Sequence, residues 1–359
     1  MIPADIGAEL ARVIRAAVAT GELPASAAGL RAAGSWRPAP ASAGGGPGTY
    51  ATSLPFALAR IVGGQPGPMA ARLAASLGDV GWISTAEPTG DGYLTCSVTT
   101  ARLAGLATRV LLAGPAVADS DAMTGTRLTA PHPPDLTIEP DWSRAWRAQH
   151  DALVGLLAGR AGADVLLIYS QRNRPPASPA ATAPSPVAAA VAYHGLDAVR
   201  YALARTAKPQ AAAIDRQLGL PQDVANPFVL VRYASVDAAS TLRWAVDLGL
   251  TASAASPGTA TALEPPELRL LDAISWLPER LAAAARRRRP AELAAHLEQL
   301  AAAWLECSED CPALPVRGRR AAADPAGRLA AARLELAAAA RAALAAGFDL
   351  LGMTAPDRL

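Results

Sequence analysis

The chain predicts an α/β N-terminal domain followed by an all-α C-terminal helical bundle, with a short α/β connector between them. Three observations point there. Apolar residues recur at helical spacing at the start of the chain and almost everywhere after Val187. Short strand-like stretches are confined to the first half. Between the halves, Arg174 to Pro186 packs in five prolines and reads as a linker.

Taken in order, residues 1–30 predict an amphipathic helix, because Ile2, Ile6, Leu10, Val13, Ile14 and Val18 fall on one face. Arg37 to Gly48, rich in Pro, Gly and Ser, predicts a loop. Helical texture returns from Leu54 to Leu77 with a break around Gly63 to Pro68, and Val80 to Ser84 and Tyr93 to Val98 predict short strands. The connector offers an irregular loop from Ala130 to Pro140, an amphipathic helix from Trp142 to about Leu157, and a buried strand at Asp164 to Tyr169. Beyond the linker, Asn226-Pro227 is an N-cap with proline in the first turn, and Gly249 is a stop. Helices over Glu264 to Arg289, Ala291 to Trp304 and Pro325 to Ala346 complete the bundle, the last ended by Gly347. The boundaries are residues 1–109, 110–187 and 188–359.

At 359 residues and 36.6 kDa the chain is long enough for two domains and a sizeable core. Its 33 basic and 31 acidic side chains leave a net charge of +2, too little for a global field that would draw in DNA or an anionic membrane. The balance is also flat along the chain: 8 basic and 6 acidic groups in 1–109, 6 and 7 in 110–187, 19 and 18 in 188–359. No run of about 18 apolar residues lacks a charge, so no membrane span is expected. Asp5, Glu9, Arg12 and Arg15 in the first turns are not the pattern of a secretory leader. Three cysteines do not make a disulfide framework, and the expected setting is the cytoplasm. Alanine makes up about a quarter of the chain and Lys208 is the lone lysine. Both are the compositional mark of a GC-rich bacterial genome, so arginine clusters weigh less than usual.

Three segments stand out together: YHGLDAVRYALAR at Tyr193 to Arg205, NPFVLVRY at Asn226 to Tyr233, and GFDLLGMTAPDRL at Gly347 to Leu359. In this order they resemble the DALR anticodon-binding domain of arginyl-tRNA synthetases. Asp197, Ala198 and Arg200 match the D-A-x-R of that domain's helix. Asn226, Pro227, Val231, Tyr233 and Ala234 match its Asn-Pro helix, and Ile214-Asp215 looks like its apolar-Asp pair. Gly48-Thr-Tyr50-Ala-Thr-Ser53 and Gly92-Tyr-Leu-Thr95 resemble motifs of the additional N-terminal domain that touches the tRNA elbow in the same enzymes. The resemblance implies tRNA as a partner and, by family, ATP-dependent arginyl-tRNA aminoacylation.

The departures are as informative. Class I synthetases hold ATP with H-x-G-H and K-M-S-K-S-like motifs on a Rossmann fold, since developing phosphate charge needs imidazole and basic donors. Here His132, His150, His194 and His296 stand in the contexts HPP, HDA, HGL and HLE, and Lys208 sits in an Ala-Lys-Pro turn. About 80 residues occupy the place of that module. Its absence predicts a catalytically inactive relative with no cofactor (ATP only if the family activity survived) and no catalytic residues. Such a relative would bind tRNA weakly, or act as an adaptor for a protein partner such as a synthetase. A protein-interaction scaffold without RNA binding is the alternative. The anticodon helix has Val229-Leu230 for the family's tyrosine pair, Arg232 for its Gln, Ser235 for its His and Asp237 for its Arg, which would set Asp237 near phosphate. Cys307-Ser308 stands where an aromatic pair precedes Leu314-Pro315.

The candidate RNA-binding residues are therefore Tyr233, Arg232, Asn226 and Trp304 in the bundle and Tyr50 in the N-terminal motif. To these we add the run Arg286, Arg287, Arg288, Arg289 with Arg317 in a nearby loop, because clustered arginines contact phosphate, although they also cap a helix C-terminus well. Cys307, Cys311 and His296 lack a fourth ligand, and no metal site is expected. Trp142 and Trp146, one turn apart, read as a packed helix face. No nucleophile elbow or phosphate-binding loop is present.

Overall fold

The computed structural model describes residues 1–40, 45–168, 184–250, 263–315 and 328–358. Arg317 and most of the proline-rich linker lie outside the described residues.

The N-terminal unit starts with α1 (Ile2–Ala19), whose Ile2, Ile6, Leu10 and Ile14 are all buried, as the periodicity requires. A four-stranded antiparallel sheet follows, built from β1 (Trp36–Pro38), β2 (Thr49–Thr52), β3 (Ile83–Thr89) and β4 (Tyr93–Val98) in the order β1-β2-β4-β3. Between β2 and β3 run α2 (Leu54–Val62) and α3 (Pro66–Leu77), divided at Gly63, which ends α2 in the left-handed conformation. The Arg37–Gly48 loop expectation was too broad: Pro38 closes an edge strand, where its missing N–H is tolerated. Strand β2 went unpredicted because all four of its residues are buried, which erases the alternation that marks a half-exposed strand. The strand expected at Val80 begins instead at Ile83.

Next come α4 (Thr100–Ala104) and α5 (Leu106–Ala113). Helix α5 straddles the expected boundary at residue 109 and packs on the C-terminal half. Thr100–Ala118 is long and apolar enough to cross a membrane by length and composition, a third of it buried. It folds, however, as two short helices and a 3-10 turn, interrupted at Gly105 and Gly114. The connector is one βαβ unit. β5 (Arg127–Pro131) pairs in parallel with β6 (Asp164–Ile168), from Arg127 opposite Asp164 to Pro131 opposite Ile168. α6 (Trp142–Arg160) crosses between them, its N-terminus capped by Asp141 accepting from the Arg144 amide at 2.9 Å.

The remainder is helical: α7 (Pro186–His194), α8 (Leu196–Arg205), α9 (Ala211–Leu218), α10 (Pro227–Asp247), α11 (Pro265–Ser275), α12 (Leu277–Arg287), α13 (Pro290–Asp310) and α14 (Arg328–Leu350). The single helix expected over Glu264–Arg289 is two. Pro278 has no N–H to offer the Ile274 carbonyl, so the helix breaks at Trp276. Gly347 does not end the last helix. It lies inside α14, where a Cβ would sit 2.0 Å from Leu297 Cδ2, so it is a packing glycine rather than a stop.

One continuous core joins both ends of the chain, from Ile2 through Tyr50 and Leu106 to Leu344 and Met353. Two carboxylates of the bundle reach into the N-terminal unit. Asp272 accepts from the Gly48 amide at 2.9 Å, and Glu279 accepts from the Gly34 amide at 2.6 Å. Both glycines have positive φ, 80° and 68°, which turns each N–H toward its acceptor. Between them Tyr50, fully buried, exchanges a 2.9 Å hydrogen bond with Ser275 and lies 5.2 Å from the Trp276 ring. A second, smaller cluster of Leu136, Trp142, Val199, Leu203 and Ile214 holds α6 to α8 and α9.

Two outcomes follow from this packing. At Gly155 a Cβ would meet Ala130 Cβ at 2.1 Å, pressing α6 off β5, whereas Gly64 faces open space. In urea unfolding, Gly155→Ala should cost about 1–3 kcal/mol through overpacking, and Gly64→Ala should not. Burial raises the Glu279 carboxyl above its ordinary 4.5, against the Gly34 hydrogen bond and nearby cations that lower it. A carboxyl raised on folding holds its proton longer in the folded chain than in the unfolded one. The unfolding free energy of the wild type, minus that of Glu279→Gln, should therefore fall as pH climbs from about 4.5.

Candidate nucleic-acid interface

Helix α10 carries most of the candidates. Asn226 is its N-cap: Oδ1 accepts from the Phe228 amide at 3.1 Å, and the side chain is buried. An N-cap satisfies an orphaned amide and has little left to offer a ligand. Arg232 and Tyr233, two turns on, point outward. The Arg232 guanidinium lies 5.4 Å from the Phe228 ring centroid and makes no ion pair among the described residues. Tyr233 is exposed. Beside Arg232 opens a groove lined by His194, Tyr201, Gln217, Gln222 and Phe228. Its floor is firm, because Tyr201 and Arg205 both bond Glu298, at 3.0 and 2.7 Å.

The other candidates divide. Trp304 is 2% exposed and donates from Nε1 to Asp237 Oδ2 at 3.0 Å, so it is a core residue and not a stacking platform. Asp237 correspondingly faces inward instead of meeting phosphate. Burial raises its pKa, against the hydrogen bonds from Trp304 and Ser308 that lower it. Tyr50 is likewise enclosed, and its ring could reach a base only by opening the core. In the arginine run, Arg286 donates to the Ala33 carbonyl at 2.6 Å and stitches α12 to the N-terminal unit. Arg287 and Arg289 flank Glu292 at 3.0 and 3.7 Å. Arg288 ends α12 at φ 54°, its carbonyl 3.1 Å from His150 Nε2. All four stay exposed, but the run does a helix terminus's work.

The sequence reading missed Tyr193. It is 85% exposed at the end of α7 and meets His194, which lines the same groove, edge-on at 4.7 Å. The matched D-A-x-R arginine is structural: Arg200 pairs with Asp197 and donates to the Gly352 carbonyl at 3.0 Å. The C-terminal tail is held further by Ser235 donating to the Pro356 carbonyl and Arg243 to that of Asp357. Histidines do not converge: His150 stacks on Trp146, His194 is half-buried at the end of α7, and His296 is buried in α13. Cys307 and Cys311 are also buried, burial pushing the Cys307 thiol up to about 12, and they line a cavity that His296 does not.

Residues 231–359, from the second turn of α10 to the tail, match the family described as DALR anticodon binding domain. Over 165 residues the chain is 36% identical to an arginine--tRNA ligase of Frankia alni and 33% identical to one of Clavibacter sepedonicus. The chain is related to the arginyl-tRNA synthetases. The aligned part is 46% of this chain but only 29% and 28% of those two relatives. The fold is similar to that of the Thermus thermophilus arginyl-tRNA synthetase, with a TM-score of 0.63, 14% identity and full coverage of both chains. The α/β start and helical DALR-like end therefore share the fold of that structure.

Stability separates framework from surface here. Asn226→Ala should cost about 1 kcal/mol as a lost cap, and Trp304→Ala about 3–5 kcal/mol as a lost core ring. Arg232→Ala and Tyr233→Ala should stay within about 0.5 kcal/mol in the same chemical denaturation series.

Proposed function

We propose that this chain is a catalytically inactive tRNA-binding module, acting in the cytoplasm without a bound cofactor, as an accessory or adaptor. The observation that carries the reading is the groove beside Arg232 on α10, the helix where the DALR match begins, with the exposed rings of Tyr193 and Tyr233 adjoining its lining residues His194 and Arg232. Two aromatic faces and an unpaired guanidinium can take splayed single-stranded bases and their phosphates. A DALR domain in an arginyl-tRNA synthetase relative makes tRNA the natural source of such bases. The near balance of charge in residues 188–359, 19 against 18, supports weak rather than tight binding.

The inactive part of the reading rests on the histidines and the lysine. None forms an H-x-G-H or K-M-S-K-S-like motif, and the described ones occupy separate parts of the fold. A second reading, a protein scaffold without RNA binding, is favoured by Tyr50, Trp304 and Asn226 being committed inside the fold.

Filter binding of bulk tRNA across a salt series decides between them. Retention that falls with salt, weakened by Arg232→Ala and by Tyr233→Ala or Tyr193→Ala, is the expected outcome; a lost stacking ring should cost about 1–3 kcal/mol. No retention at low salt would leave the scaffold reading. Arginine-dependent ATP–pyrophosphate exchange by the pure protein would overturn inactivity.

A further inference from the structure

Away from the groove, a cavity of about 280 Å³ opens where the N-terminal unit meets the bundle, between Pro38 and Pro47 on one side and α11, α12 and α13 on the other. Its polar lining is unusual for a docking seam. His296 is 3% exposed, and neither ring nitrogen makes a well-aligned hydrogen bond, its nearest polar neighbours being Gln299 and the Ala273 backbone. Arg280 makes no ion pair among the described residues, and its Nε is buried without a hydrogen-bond partner. Its guanidinium rests 5.2 Å from the Trp276 ring centroid. Asp272 and Gln299 complete the polar wall, and Arg269 on the rim is already spent on Glu306 at 2.6 Å.

Buried polar groups are normally paired, and one that is not costs free energy. Here an imidazole without a well-aligned hydrogen bond and a guanidinium with an unbonded Nε line one solvent-reachable space on consecutive elements of the bundle. Burial lowers the His296 pKa to about 3, so at neutral pH the ring offers one N–H donor and one lone pair. The lone pair wants a donor from the ligand, and the N–H and guanidinium want an anion. Asp272 stands beside them, so the cavity tolerates one negative charge better than two.

We propose that this cavity binds a small monocarboxylate that carries its own hydrogen-bond donor, as in a hydroxy or amino acid. The carboxylate takes Arg280 and the His296 N–H, and the ligand's donor takes the second His296 nitrogen. Because Pro38 and Pro47 belong to one unit and the polar groups to the other, the ligand sits across the seam that Asp272 and Gly48 already bridge. This site is independent of tRNA binding, and its occupancy tightens the docking of the N-terminal unit.

The test uses the full chain with glycolate, glycine, acetate and inorganic phosphate as probes. Calorimetry should show saturable binding of glycolate or glycine, tighter than acetate, and Arg280→Gln should weaken it about tenfold or more through loss of a charge-assisted bond. Nitrogen-15 spectra of the imidazoles report the site directly, and the His296 signals should shift with the same titration. That measurement on the wild type decides alone should Arg280→Gln not fold. The proposal is overturned by no saturable binding up to about 10 mM, well beyond the affinities of specific sites, by His296 signals that do not move, or by phosphate binding more tightly than the carboxylates.

Discussion

The structure turns on two carboxylates, Asp272 and Glu279, seven residues apart on consecutive helices of the bundle. Each captures the amide of a left-handed glycine from the N-terminal unit, Gly48 and Gly34. A buried carboxylate is expensive unless it accepts hydrogen bonds. Burial does raise both groups, and only the glycine amides and nearby partners oppose that rise. The two contacts are thus mutually enforcing: without them the carboxylates would be stranded, and without the carboxylates the glycine turns would lose the acceptors that orient them. Between these points Tyr50 and Trp276 close the seam, which is why the core runs unbroken across it.

That direct docking explains the short connector. With the two ends of the chain packed on each other, the middle need only bridge the gap while covering its own backbone. A single βαβ unit does so with few residues, since α6 can lie against α8 and α12 on one side and β5 on the other. Parallel pairs are usually covered on both faces. Here α6 covers one, and Leu166, Leu167 and Ile168 of β6 remain exposed. The unit has the parallel pairing and crossover helix of a doubly wound sheet, reduced to its smallest repeat.

Local chemistry was legible in the sequence wherever a local signal decides the structure. The α1 stripe, the break at Gly63, strand β4, helix α6 and the Asn226 cap all announce themselves within a few residues, whereas β6, expected to be buried, is largely exposed, and its partner β5 runs into the expected loop at Ala130. What escaped depends on tertiary contact. Strand β2 is buried on both faces and shows no alternation. Gly347 reads as a helix stop until Leu297 is placed against it. Tyr50 and Trp304 show the same difficulty at the site. An aromatic in a family motif serves equally as core or as stacking platform, and only its neighbours, Ser275 and Asp237, tell which. Tyr193 is the converse, a ring whose 85% exposure is a fact about the fold and not about its flanking residues.

The Asp237–Trp304 pair shows how a reading surface can be altered without loss of its scaffold. Read on the sequence alone, an acid in place of an arginine on the anticodon helix is a charge reversal set against phosphate. In the structure the acid is half-buried and receives the indole N–H, so the substitution moves a polar group from the surface to the interior. The same helix keeps its cap, its buried Val231 and Ala234 and its contact with the tail through Ser235, so its position is preserved. What remains outward, Arg232 and Tyr233, can supply one guanidinium and one ring. Affinity for nucleic acid scales with the number of phosphates neutralised and bases stacked. On the function proposed above, a surface with so few of each implies weak contact, and Arg286 and Arg287 lie instead at a helix terminus and the interdomain seam.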